Sequence, residues 1–360
     1  MSLVRPLVAR IVRQEYAAAN VSRMLDALPA AERVGALEGQ LGPLRTASHD
    51  AYAHCEEAFY VYRLRRGDDE HVGVVGEVSL MAFLDGSVRG HEAVQPQRVE
   101  GLVEHFSSAA VRSELVALLH EPGPTVLAAV IRAAEGDPML TFSGPDGWEQ
   151  SVWKVPDAMT IELSEELGQR VHYLADGHHR VAASLVTWDK AGRPQDAGVM
   201  CVMYPLDGLS LTAFHRRVSG PVHVAELLAL LEKGFEVREV TALEEAVGCF
   251  GVYVDHGWYD LTYTRERLPG AAGLDVAILD DHVLTPLLGS HPPASPRLEI
   301  ASAVGSVDEL VQACDQDAGA LFTLRPPSLD QLTEVADRGE VMPPKTTYFE
   351  PKPYAGIFLR

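Results

Sequence analysis

The sequence is poor in cysteine and in positive charge, and it has no long apolar run. Four cysteines, Cys55, Cys201, Cys249 and Cys314, are spread over 360 residues, with no C-x-x-C pair and no histidine at zinc-finger spacing. Neither a disulfide framework nor a structural zinc is expected; the thiols read as scattered core residues of a reducing compartment. No stretch approaches the roughly 18–20 apolar residues that span a bilayer. The start, Met-Ser-Leu-Val-Arg-Pro, lacks the apolar segment of a secretory signal, so a cytoplasmic location is the expectation. Lys and Arg number 30 against 51 Asp and Glu, a formal net charge of −21. An excess of that size repels polyphosphate and anionic lipid, which argues against nucleic acid and membrane surfaces as partners. A local basic pocket for a small anion is still compatible with it.

The common catalytic signatures are missing too. There is no G-x-x-x-x-G-K-[ST] phosphate loop, no G-x-G-x-x-G after a strand and no G-x-S-x-G elbow. His91-Glu92 does not open an H-E-x-x-H motif, because Ala-Val-Gln follows. Internal repeats and low-complexity segments are absent. What is present is an ordinary globular composition, 47% hydrophobic and 22% charged, in a chain long enough to bury a large core.

Periodicity interleaves strands and helices, which predicts an α/β (α+β) fold with a mixed sheet. Helical spacing is read over 7–40, 99–120, 178–189, 222–233, 274–284, 307–316 and 329–338. Strands are read over 58–66, 72–83, 171–175, 199–205, 250–254, 258–263 and 320–324. The segment Thr125–Ala134 suits a buried strand or a helix, and Asp85-Gly86 is a hairpin-turn signal. Expected domains are a first lobe over 1–215, a second α/β lobe over 216–340, and a segment over 341–360 that returns to complete the first lobe's active site.

Three short motifs could carry chemistry. In Asp176-Gly177-His178-His179-Arg180 an apolar strand breaks at glycine and a helix opens, exposing unpaired N–H groups that attract anions. Two histidines and a forked guanidinium add donors, and Asp176 could cap the helix, hold a metal or hold a substrate hydroxyl. A plain helix cap is the simpler alternative. Arg89-Gly90-His91-Glu92 places a carboxylate, a possible proton acceptor, beside Arg89 and His91, which could meet a phosphate. Lys345-Thr346-Thr347, after Pro343-Pro344, offers an ammonium and two hydroxyls to phosphate oxygens. Phe214-His215-Arg216-Arg217 is the most basic run of the second half; it reads as a border of the donor site or, more simply, as a solvated strand end. The aromatics of Phe59–Arg63 read as a half-buried strand.

Taken together, Arg89–Glu92, Asp176–Arg180 and Met342–Lys352 (MPPKTTYFEPK) resemble the family known as domain of unknown function 1015. Lesser echoes are Leu274-Asp275-Val276, which runs into Leu287-Leu288-Gly289, and Leu324-Arg325-Pro326. The Pro-Pro-Tyr-Asp segment that such proteins carry near residue 20, and the Asn-Pro and Phe-Leu-His segment before residue 50, are not found here. This family is similar to free serine kinases of the ParB/sulfiredoxin superfamily. That resemblance implies transfer of a phosphoryl group from ATP, ADP or pyrophosphate, with Mg²⁺, to the hydroxyl of free L-serine or a serine-like amino acid. It implies Glu92 as the base, with Asp176 and His179 as further catalytic groups. Gly177, His178, Arg180, Arg89, His91, Lys345, Thr346 and Thr347 would bind the donor. A non-catalytic nucleotide- or phosphate-binding regulator and a nucleotide phosphohydrolase are the alternatives on the same fold.

Overall fold

A computed structural model of the chain describes residues 3–23, 51–108, 112–144, 146–241, 249–290, 292–302 and 305–360. The architecture is α/β, and the chain divides into two compact units: Met1–Leu209 with Pro351–Arg360, and Ser210–Glu350.

The first unit is built on a mixed sheet. Its strands run, in spatial order, Val88–Arg89, His172–Asp176, Val116–His120, Gly198–Pro205, Asp69–Ser79, Tyr60–Arg66, Glu149–Lys154 and Leu140–Ser143, with Val4–Arg5 paired to Asp69–Ser79. Two pairings are parallel, Val88–Arg89 with His172–Tyr173 and Val116–His120 with Cys201–Pro205; the others are antiparallel. Val61, Val74, Leu118, Trp153, Leu174 and Cys201 pack one side of the sheet against residues such as Ala129, Leu163 and Val181 of the helices Pro124–Ala134, Thr160–Gly168 and His178–Lys190. Tyr60 and Tyr62 alternate onto the other side. There the C-terminal segment covers them: the Tyr60 and Phe358 rings lie 5.5 Å apart, and the Tyr354 N–H donates to the Tyr62 hydroxyl at 3.3 Å. The aromatics of this strand are therefore fully buried rather than half-buried.

Three expectations fail for identifiable reasons. Val116–His120 is a strand, not the end of a helix, and the helix described in this stretch is Pro96–Ser108. A short run buried throughout carries no periodicity to separate the two. Asp85-Gly86 makes no hairpin: the Asp85 carboxylate accepts the Ser87 N–H at 2.9 Å in a local turn, and Val88–Arg89 then pairs with His172–Tyr173 instead of the preceding strand. Over residues 7–23, strands at Arg10–Val12 and Ser22–Arg23 replace much of the helical reading, because pairing with Tyr52–His54, Phe358–Leu359 and Tyr354–Ala355 overrides local propensity. Residues 24–40 of that reading, with most of the stretch where the early family segments would stand, lie outside the described residues.

The second unit has an antiparallel sheet ordered Phe235–Val240, Gly257–Tyr263, Cys249–Val254, Ala320–Thr323, Phe214–Val218 and Leu298–Ser302, with helices Val224–Leu231, Val307–Asp317 and Leu329–Asp337. The helical reading over 274–284 appears as Asp275–Leu279, continued by a π-helical turn over Asp280–Leu284.

Leu118, wholly buried in the first unit's core, offers a test of this packing. Leu118→Ala should lower unfolding free energy by about 2–5 kcal/mol, read from urea denaturation; a loss below about 1 kcal/mol would contradict its place in the core.

Candidate active site

The strand His172–Asp176 ends inside the first unit, and the chain must turn at once to begin the helix His178–Lys190. Gly177 makes the turn at φ +109°, where L side chains are strained. A Cβ here would lie 3.1 Å from Val116 Cγ2 and 3.2 Å from Arg180 Nη2, so it would also press on both neighbours. No side chain caps the helix, and its first-turn N–H groups lack intrahelical acceptors, which makes this end receptive to an anion.

Asp176 is engaged elsewhere. One carboxylate oxygen pairs with Arg180, one turn into the helix, and the other accepts from Lys352 Nζ at 2.9 Å. Arg180 also donates to the Leu115 carbonyl at 2.5 Å. Burial alone would raise the pKa of Asp176, but the charges of Lys352 and then Arg180 outweigh it and hold the carboxyl well below its ordinary range. Lys352 is the residue that sequence reasoning did not single out. It lies inside the quoted MPPKTTYFEPK, but nothing local to it signals a partner 176 residues away.

The parallel pairing of Val88–Arg89 with His172–Tyr173 brings Arg89-Gly90-His91-Glu92 alongside this turn. The His178 ring lies against the chain at Gly90, where a Cβ would come within 3.3 Å of it. His91 N–H donates to His178 Nε2 at 3.4 Å, which assigns the His178 proton to Nδ1, and Nδ1 stands 3.5 Å from the Glu92 carboxylate. The His91 ring meets His178 edge-on at 4.8 Å. Burial pushes His178 far below the usual imidazole range, and it takes His91 down to about 4, so both are neutral at neutral pH. Glu92, with a side chain 37% exposed, thus borders a neutral imidazole on its His178 side. Two more residues of the motifs touch backbone: His179 Nε2 accepts the Gln95 N–H at 3.0 Å, and Arg89 Nε donates to the Gly86 carbonyl at 3.2 Å.

In the second unit, Lys345 follows Pro343-Pro344 in the left-handed region, at φ +57°. Its ammonium lies 5.3 Å from the centroid of the Phe214 ring. Thr346 Oγ1 donates to the Pro343 carbonyl at 2.6 Å, and Thr347 beside it is half-buried. Phe214, Asp275, Val276, Arg325, Lys345 and Thr346 share the lining of one groove, so three separate sequence echoes converge there. Phe214–Arg217 corrects the reading of a solvated strand end: it is a central strand, with Arg216 and Arg217 both buried. Among the described residues no group of three His, Cys, Asp or Glu side chains could hold a metal ion, and none of the helices could cross a membrane.

A model of the family described as "Protein of unknown function (DUF1015)" matches residues 52–281, more than half of the chain. The chain belongs to the DUF1015 family. No curated protein matches this DUF1015 sequence. Among solved structures it is similar to a mutant free serine kinase in complex with AMP, at 16% identity and TM-score 0.41, covering 77% of this chain and 87% of that one. It is also similar to a conserved hypothetical protein from Pyrococcus furiosus, at 16% identity and TM-score 0.38, covering 79% and 93%. A third is SbnI with C-terminal truncation from Staphylococcus aureus, at 12% identity and TM-score 0.41, covering 77% and 82%.

The Asp176 ion pairs yield a test. Lys352→Met should cost about 2–3 kcal/mol at neutral pH, Arg180 remaining as the second partner. A depressed folded-state pKa contributes stability that is present above the unfolded carboxylate value of about 4 and is lost as the pH falls through the folded value. The gap between wild type and variant should therefore narrow in acid. Urea unfolding at neutral pH and at about pH 3 measures it; a gap that stays constant would contradict the assignment.

Proposed function

We propose that this DUF1015 protein is a small-molecule kinase that transfers a phosphoryl group from ATP, ADP or pyrophosphate to the hydroxyl of free L-serine or a serine-like amino acid. The observation that carries this reading is Glu92 held beside a neutral His178 at the opening of a helix whose first-turn N–H groups suit an anion. Asp176, paired to two cations and held well below its ordinary range, is a poor proton acceptor, which leaves Glu92 as the carboxylate assigned to take the proton.

In the proposed reaction the acceptor hydroxyl gives its proton to Glu92 as its oxygen attacks the donor's terminal phosphorus. The bond from that phosphorus to the bridging oxygen breaks, and the electron pair leaves with the shortened donor. Such transfer depends on positioning and charge neutralisation more than on covalent help. In the first unit the helix start after Gly177, with His178 and His179, is assigned to phosphate binding, and His91 supports the His178 ring. In the second unit Lys345, Thr346 and Thr347, with Arg325 in the same groove, are assigned to phosphate binding as well. Asp176 and Arg180 act on each other and hold the turn in shape; Arg89 borders it. The described residues do not form a metal cage, and Asp176 is neutralised by two cations. Mg²⁺ therefore enters this proposal as part of a magnesium–nucleotide donor, which is a usual mode for that ion.

Phosphorus NMR of the purified chain with L-serine, Mg²⁺ and each donor in turn is the direct test. A serine phosphomonoester should form, and Glu92→Gln should slow it by about 10²–10⁴-fold. Free phosphate without phosphoserine would replace the kinase by a hydrolase. Saturable nucleotide binding without turnover would replace it by a regulator.

A further inference from the structure

Arg216 is 1% exposed within Phe214–Val218, a strand paired on both sides, with Leu298–Ser302 and with Ala320–Thr323. Its guanidinium donates to the carbonyls of Pro344 at 3.0 Å and Lys345 at 3.1 Å, and to that of Phe214 at 3.3 Å. Burying a permanently charged side chain in a sheet is expensive, and an apolar residue would fill the position at lower cost. Its neighbours have different tasks. His215 Nδ1 accepts the Leu324 N–H at 3.3 Å, and Arg217 pairs with Glu299 at 2.8 Å and Asp317 at 2.5 Å. Arg216 donates to the backbone of the Pro-Pro-Lys-Thr loop, and Phe214 of the same run meets its Lys345 side chain.

Strand alternation puts Phe214 and Arg216 on the same face, and the two support Lys345 at both ends. Phe214 lies under the ammonium, while Arg216 holds the carbonyls of Lys345 and of the residue before it. A lysine at φ +57° is uncommon and persists where the surrounding structure holds it there. The Arg216 fork grips the peptide on either side of it, and Thr346 Oγ1 closes the same turn on the Pro343 carbonyl. We propose that Arg216 is a positioning residue that sets Lys345 and Thr346 to receive the phosphates of the donor, a role that rests on the kinase reading of those two residues.

The test compares wild type, Arg216→Met and Arg216→Lys for donor KM, serine KM and kcat with ADP, ATP or pyrophosphate, alongside thermal unfolding. Arg216→Met should raise donor KM by about tenfold or more with serine KM within about twofold, and Arg216→Lys should fall between it and wild type. A folded Arg216→Met with wild-type donor KM overturns the proposal while leaving the kinase reading intact. A wild type that transfers no phosphoryl group overturns both. If Arg216→Met does not fold, Arg216→Lys carries the test through tryptic cleavage after Lys345, read by mass spectrometry. Cleavage should be faster than in wild type and be slowed by ADP; unchanged cleavage together with unchanged donor KM overturns the proposal.

Discussion

A carboxylate buried at the end of a strand is tolerated only when it is neutralised, and the first unit is organised around how Asp176 meets that condition. Arg180 reaches back from the helix that follows, and Lys352 reaches in from the C-terminal segment. One ion cluster thereby joins a strand, a helix and a segment nearly two hundred residues away in sequence. The same segment pairs Phe358–Leu359 with Arg10–Val12 and covers the tyrosines of the central sheet. Removing its lysine would leave a half-compensated charge where Gly177 sets the start of the helix. The helix start, the His178 ring and the position of Glu92 all follow from the geometry of that turn.

Two carboxylates near one turn have been given opposite surroundings. Asp176 is enclosed and bracketed by two cations; Glu92 is part-exposed and faces an imidazole that burial keeps neutral. Separating a pair of like groups by environment is the usual way a site divides structural from proton-transfer work between them. The division depends on His178 remaining uncharged. His91 ensures this from two directions, by donating its N–H to Nε2 and by packing its own buried ring against the other.

The strand–turn–helix at Asp176–Arg180 was legible because each part has a local cause: an apolar run, a glycine break and a helical period. The mixed α/β class was legible for the same reason. Pairing partners were not. Asp85-Gly86 has the chemistry of a hairpin turn, but turn chemistry does not say which strand comes next to it. Val116–His120 is buried throughout and shows no period. The partners of Lys352 and Arg216 were not legible for a related reason. Their partners are a carboxylate and two carbonyls, 128 to 176 residues distant, and a lysine or arginine looks the same in sequence whether it faces solvent or such a partner.

The charge of the whole chain and the charges at these sites act over different distances. A net of −21 sets the field that an approaching polyanion meets first, and it is repulsive. That field is screened beyond about 8–10 Å at physiological ionic strength, inside which the nearest groups decide. Several arginines near the motifs face carboxylates: Arg180 faces Asp176, Arg217 faces Glu299 and Asp317, and Arg267 faces Asp275. Arg216 donates to carbonyls, with the buried Asp280 close enough to favour its charge, and it props an exposed Lys345 at the edge of a groove that Arg325 also lines. A small phosphorylated ligand passes the outer field at little cost because it carries few charges, and it meets ordered cations only on arrival. A long polyanion would meet the repulsion along its whole length for the same short-range contacts, so on the proposed reading this arrangement would favour small anions by size as much as by sign.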